Sequence, residues 1–192
     1  MLTHLAMAAS AAFAVIATNL DNLAVMVALL LTSNRPRVLG GYLMAQAIVL
    51  GAALAIAEGA EEAMPGWTGY LGLVPLSLGL IGVWRQWRGV GDGDMPVSAG
   101  GTLLASTVLF LGLSTDSLAV MAPLLADTVP VLRVTATLGA GLAVLALGLL
   151  GLSLARGAEA SGGWISKLEK LGPYAMIAVG LYVLANSGTD AI

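Results

Sequence analysis

Six apolar runs, parted by short polar breaks, take up almost the whole of this chain. They cover about Leu5–Leu31, Val38–Ala57, Trp67–Val83, Leu103–Ala126, Val131–Leu154 and Tyr174–Ala185, the last extended at its start by Trp164–Pro173. A helix of about 20 apolar residues crosses the hydrocarbon core of a bilayer. Inside lipid every backbone polar group has to be paired within the protein, which a helix does by itself. The expectation is an all-α integral membrane protein with six transmembrane helices, a single domain over residues 1–192. Composition agrees: 58% of residues are hydrophobic and 10% charged, against about 25% charged in a soluble domain.

Several classes drop out. Little chain remains outside the runs for a soluble enzyme domain. No nucleophile–base pair, glycine-rich phosphate loop or zinc-protease pattern occurs, so no enzyme activity and no cofactor are expected. The chain has no cysteine, which removes disulfides and thiolate metal ligands together. Its eight basic residues never cluster, so a nucleic-acid partner is not expected. The N-terminus lacks a basic leader, and its apolar run continues through Asp21 without a cleavage site, unlike a removable signal.

Two of the runs carry near-copies of one motif. Asp-Asn-Leu-Ala-Val-Met-Val-Ala-Leu-Leu starts at Asp21, and Asp-Ser-Leu-Ala-Val-Met-Ala-Pro-Leu-Leu starts at Asp116; seven of ten positions are identical. The offset is 95 residues. A weaker echo links Gly79-Leu80 in the third run with Gly180-Leu181 in the sixth. Repeat 1 then covers about residues 1–90 and repeat 2 about 98–192, three spans each. An odd number of crossings forces the second half to insert upside down, a 3+3 inverted repeat of the kind many secondary transporters use.

Charge sets the orientation. Arg35 and Arg37, Arg85 and Arg88, and Arg156, Lys167 and Lys170 fall in alternate loops on one side; only Arg133 falls on the other. Basic residues favour the cytoplasm, so both termini are expected outside it, in a cell inner (plasma) membrane. Glu58, Glu61 and Glu62 lie on the outer side, either as an acidic vestibule or as an ordinary solvated loop.

An ionised carboxylate near the bilayer centre costs roughly 2.5–3.5 kcal/mol even on a lenient scale. Two at matching positions suggest a cation site. On a continuous helix Thr18, Asp21, Asn22 and Val25 share a face, with Asn19 flanking. In the fourth run Ser114, Asp116 and Ser117 cluster, with Thr115 alongside. These are hard oxygen donors, suited to a divalent cation. No Lys or Arg lies in the two runs that carry the pair. The alternative is that both aspartates only hydrogen-bond to neighbouring helices. Gln46, an amide in the second run, either completes the site or bonds across helices. Met26 and Met121 are mirrored as well; they offer soft thioethers, or the packing that is the commoner use of Met. Thr18-Asn19 and Ser114-Thr115 are polar breaks that tolerate unwinding. Pro123 frees the Ala119 carbonyl and predicts a kink, whereas the first copy has Ala28 there.

Further residues resemble a known group, the CadD-like cadmium-resistance transporters of the LysE exporter superfamily. The resemblance covers most of the chain. Thr18-Asn19-Leu20-Asp21-Asn22 is similar to that family's first-span signature, and Tyr42 to Gln46 to its second-span pattern. Leu71-Gly72-Leu73-Val74-Pro75-Leu76 with Leu78-Gly79 resembles its third span, and Thr115-Asp116-Ser117 with Pro123 its fourth. The family pattern there runs Gly-x-Asp-Asn, whereas this chain has Ser114-Thr115-Asp116-Ser117, and Asp116-Ser-Leu-Ala-Val is similar to manganese exporters of the same superfamily. The resemblance implies export of a divalent metal (cadmium, manganese or zinc).

The expected mechanism is secondary transport with alternating access. Asp21 and Asp116 bind the metal as transported substrate, with Thr18, Asn19, Asn22, Gln46, Ser114, Thr115 and Ser117 supplying further oxygens. No nucleotide-binding motif is present, so protons are the expected counter-ion and two close carboxylates the expected proton carriers. The rivals are a LysE-type exporter of a cationic amino acid, a passive channel, and a membrane scaffold or accessory that transports nothing. Pairing into a homodimer through glycine-rich faces is compatible with the sequence.

Overall fold

The computed structural model describes residues 1–63, 73–88 and 102–157, together with Ile177, Leu181 and Leu184. Among the described residues every regular element is helical: α1 (Leu2–Thr18), α2 (Leu20–Thr32), α3 (Arg35–Ala63), α4 (Leu73–Trp87), α5 (Leu103–Leu113), α6 (Thr115–Asp127) and α7 (Pro130–Gly157). The duplication reappears in these boundaries. α1 and α5 end at Thr18 and Leu113, α2 and α6 span Leu20–Thr32 and Thr115–Asp127, and α3 and α7 begin at Arg35 and Pro130, always 95 residues apart.

The first and fourth apolar runs, each expected as one span with a polar break that tolerates unwinding, are broken at Asn19 and Ser114. α1 meets α2 at 58° and α5 meets α6 at 61°. In the second copy the break falls at Ser114, while Pro123 lies inside α6. α1 packs chiefly on α7, and its counterpart α5 on α3, so the first helix of each half lies against the long helix of the other. His4 Nδ1 meets Thr135 Oγ1 at 2.9 Å. A Cβ on Gly139 would strike the backbone of Ala8, and one on Gly151 would strike Met26 and Leu23. From Thr135 to Gly151 is about 24 Å of helix, so α1 and α2 together follow most of α7.

Local chemistry explains the helix ends. Asn34 Oδ1 accepts the Arg37 N–H at 3.3 Å before α3, and Thr102 Oγ1 accepts the Ala105 N–H at 3.1 Å before α5, as capping residues do. Pro130 occupies the first position of α7, where no amide hydrogen is needed. The C-termini of α2 and α6 are each met by an arginine. Arg35 Nε donates to the Leu30 carbonyl at 3.3 Å, and Arg133 Nε donates to Leu125 and Thr128 carbonyls at 3.0 Å each. Leu30 and Leu125 are equivalent positions. Arg133, expected as a loop charge on the outer side, is buried and holds the end of α6.

Among the described residues two helices hold segments long and apolar enough to cross a membrane, Arg35–Ala60 and Pro130–Gly157; taking each bent pair as one span makes four. Their outward side chains are large and apolar: Met44, Ile48 and Ile56 on α3, and Leu138, Leu142, Leu145 and Leu149 on α7. A contiguous surface of that kind suits lipid rather than water. This is a helical membrane protein. α4 has 15 residues and runs about 22 Å; the start of the expected third span, at Trp67, lies outside the described residues. So does the sixth span, save Ile177, Leu181 and Leu184, which are helical.

Candidate functional site

The two breaks arise by one local mechanism. In an α-helix the backbone N–H of Asn19 would bond the carbonyl four residues back, that of Val15. Here the Asn19 side chain takes that carbonyl, Nδ2 to Val15 O at 2.9 Å, and the backbone N–H turns to Ile16 O at 3.3 Å. Ser114 repeats the exchange: its hydroxyl donates to Phe110 O at 2.7 Å, and its backbone N–H goes to Leu111 O at 3.2 Å. Side chains that compete with the ladder in this way bend helices. Both residues leave helical dihedrals, with φ −112° and ψ 17° at Asn19 and φ −94° and ψ 16° at Ser114.

The breaks meet each other. Asn19 Nδ2 donates to Ser117 Oγ at 2.9 Å, and Asn22 Nδ2 donates to Ser114 Oγ at 3.1 Å. Asn19 is equivalent to Ser114, and Asn22 to Ser117, so these are one contact made twice. Residue 19 faces 117 while 22 faces 114, so the two segments pass in opposite directions. Gln46 joins them from α3, its Nε2 donating to Asn19 Oδ1 at 2.6 Å and Ser114 Oγ at 2.8 Å. Asn22 Nδ2 donates to the same two atoms, at 2.8 and 3.1 Å. Two amide nitrogens and two oxygens thus form a closed square. Ser117 Oγ then donates to Thr18 Oγ1 at 3.0 Å. Thr18, Asn19, Asn22, Gln46, Ser114 and Ser117 are all buried. Gln46 has no counterpart, because Gly141 stands at the equivalent place on α7.

Asp21 and Asp116 sit in the first turn of α2 and α6. Each Oδ1 accepts the backbone N–H of the next residue at 2.7 Å. The amino end of a helix carries partial positive charge, so each carboxylate is held where the breaks create one. They are partly buried and lie within electrostatic reach of one another. No group of three or more His, Cys, Asp or Glu gathers among the described residues; the remaining polar groups at the breaks are neutral amides and hydroxyls.

Of the nine residues expected at the site, the structure brings Thr18, Asn19, Asn22, Gln46, Ser114 and Ser117 into one hydrogen-bonded network, with Asp21 and Asp116 beside it. Thr115 is not brought in: it is exposed, and its hydroxyl turns back to the Gly112 carbonyl at 3.1 Å. The shared face expected for Thr18 and Asp21 is lost, because the helix breaks between them. Met26 lies buried against Gly151, a packing role. Tyr42 was not among the expected residues, yet it is fully buried, in electrostatic reach of Asp21, and one turn before Gln46. A polar-tipped aromatic four residues before an intramembrane glutamine was the available signal.

Mirrored broken helices crossing at a buried polar centre, inside helices suited to lipid, define a polytopic α-helical membrane protein with an internal polar site. No family model, curated protein or solved structure matches the chain.

Proposed function

We propose that the protein is a secondary transporter exporting a divalent metal cation across a cell inner membrane, built as a 3+3 inverted repeat of the CadD-like, LysE-superfamily kind. One observation carries this reading: two symmetry-related helix breaks pass antiparallel, each followed within a turn by an aspartate, and the two carboxylates lie within electrostatic reach. Broken helices of opposite direction are how many inverted-repeat transporters form an ion site near the midplane.

Asp21 and Asp116 supply two negative charges, and Asn19, Ser114 and Ser117 neutral oxygens. The oxygens of the square accept hydrogen bonds from Gln46 and Asn22; a cation exchanges those bonds for metal contacts. Interhelical hydrogen bonds in membranes average about 0.6 kcal/mol, so the three bonds of the square that run between helices are together worth on the order of 2 kcal/mol. That holds a closed arrangement and still yields to an ion. The halves rock against each other, with the basic loops cytoplasmic and both termini outside, and protons return in exchange. Hard oxygens and a Met26 committed to packing favour manganese over soft cadmium.

For a cationic amino acid the substrate carboxylate needs a partner. The α2 and α6 amino ends already hold Asp21 and Asp116, which disfavours that cargo. The test is purified protein in liposomes, offered manganese, cadmium, zinc and lysine across an imposed pH step. Flux of lysine alone, or of none of the four, refutes the proposal.

A further inference from the structure

Three buried side-chain atoms have no hydrogen-bond partner among the described residues: Asn22 Oδ1, Tyr42 Oη and Ser106 Oγ. Buried polar atoms are paired in the large majority of cases, so each calls for a reason. Ser106 sits two turns before Ser114 on α5, pressed against Gly41, where no Cβ would fit. The other two border Asp21. Asn22 follows it in α2, and the Tyr42 hydroxyl lies within reach of its charge.

Tyr42 is held firmly. Phe110 meets its ring edge-on, with centroids 5.4 Å apart and planes at 78°, and Gly148 lies beside its Cε1. Helices α5 and α7 therefore fix the ring while the polar tip stays unspent. Bulk alone would be served by phenylalanine, without burying an unpaired hydroxyl. The equivalent residue, Thr137, has committed its own hydroxyl to the Arg133 carbonyl at 2.8 Å. At this pair of positions the unpaired hydroxyl belongs to the first half only.

We propose that Tyr42 is a positioning residue for the transported cation, its hydroxyl hydrogen-bonding a water molecule that the ion retains between Asp21 and Asp116, with Asn22 Oδ1 accepting from such water. This rests on the two-aspartate reading above. Hard divalent cations take about six to eight oxygens; Asp21 and Asp116, each with one oxygen held by a backbone N–H, and Asn19, Ser114 and Ser117 together offer five. Retained water completes the set, and that water needs partners on its far side. The arrangement favours an ion that keeps oxygen ligands and water, such as manganese, over cadmium.

The experiment uses the full chain in detergent, titrated calorimetrically with manganese and with cadmium as wild type, Tyr42→Phe and Asp21→Asn. Tyr42→Phe keeps the ring and deletes only the hydroxyl. Manganese affinity is expected to fall about tenfold, one good hydrogen bond, and cadmium affinity by clearly less. The metal-free melting temperature stays level or rises, since an orphan hydroxyl is gone. Unchanged manganese affinity, an equal loss for both ions, or a lower metal-free melting temperature overturns the role of Tyr42. If Asp21→Asn abolishes binding while Tyr42→Phe changes nothing, only the tyrosine proposal falls. If Asp21→Asn binds like wild type, or wild type binds neither ion, the two-aspartate site itself fails and this inference with it.

Discussion

Asn19 donates its amide hydrogen to the Ser117 hydroxyl at 2.9 Å, joining the break of the first helix pair to the first turn beyond the break of the second. Its mate, Asn22 to Ser114 at 3.1 Å, makes the same connection from the other half. The halves are thus tied by a self-complementary contact, as two subunits are at a two-fold interface. A double-mutant cycle on Asn19→Ala and Ser117→Ala should therefore show coupling of about 0.5–1.5 kcal/mol in detergent unfolding. Strictly additive effects would mean that the pair does not hold the halves together.

Asp21→Asn and Asp116→Asn should each lower cation flux in proteoliposomes at least about thirtyfold, the equivalent of 2 kcal/mol for one lost charged partner. Both variants should still insert, because each loses only the helix-end term of about 0.3–1 kcal/mol. The symmetry demands that the two losses be similar in kind. Normal flux in both variants would falsify the site.

Glycines on the helix contacts should separate by what their Cβ meets. Gly139→Ala drives a methyl into the Ala8 backbone and should destabilise by about 1–3 kcal/mol. Gly151→Ala meets the flexible end of Met26 and should cost less. Gly51→Ala meets nothing and should stabilise by up to about 1 kcal/mol. Melting temperatures in one detergent rank the three; any other order contradicts the packing of α1 and α2 on α7 or the open space at Gly51.

Arg133→Ala should destabilise by about 2 kcal/mol, because charge-assisted bonds to the Leu125 and Thr128 carbonyls are lost. Arg133→Lys should recover less than half, since a single ammonium lacks the planar fork that spans neighbouring carbonyls. Thermal unfolding reads this directly. Full recovery by lysine would reduce the residue to a plain charge at a helix end.

The apolar runs, the duplication and most members of the polar centre could be read from residue types alone, because lipid leaves so few places for Asp, Asn and Gln. The exact bend could not. Thr18-Asn19 marked a weak point, yet only the tertiary bonds to Ser117, Gln46 and Ser114 decide that Asn19 turns against its own helix. Thr115 looked as polar as Ser114 and faces away, because the break re-sets which residues point inward. Residue type alone does not single out Tyr42, because its unpaired hydroxyl shows only when neighbours are in place. Arg133 has the residue type of a loop charge, and only the fold brings the Leu125 and Thr128 carbonyls to its guanidinium.

The square at the crossing leans on one helix. Parting α3 from the breaks ruptures both bonds made by Gln46, whereas the twin movement of α7 starts from Gly141, which has no side chain to withdraw. At the polar crossing itself the two ways of prising this molecule apart are therefore unequal, a bolted door opposite an unbolted one, although the helix boundaries around them repeat at one offset.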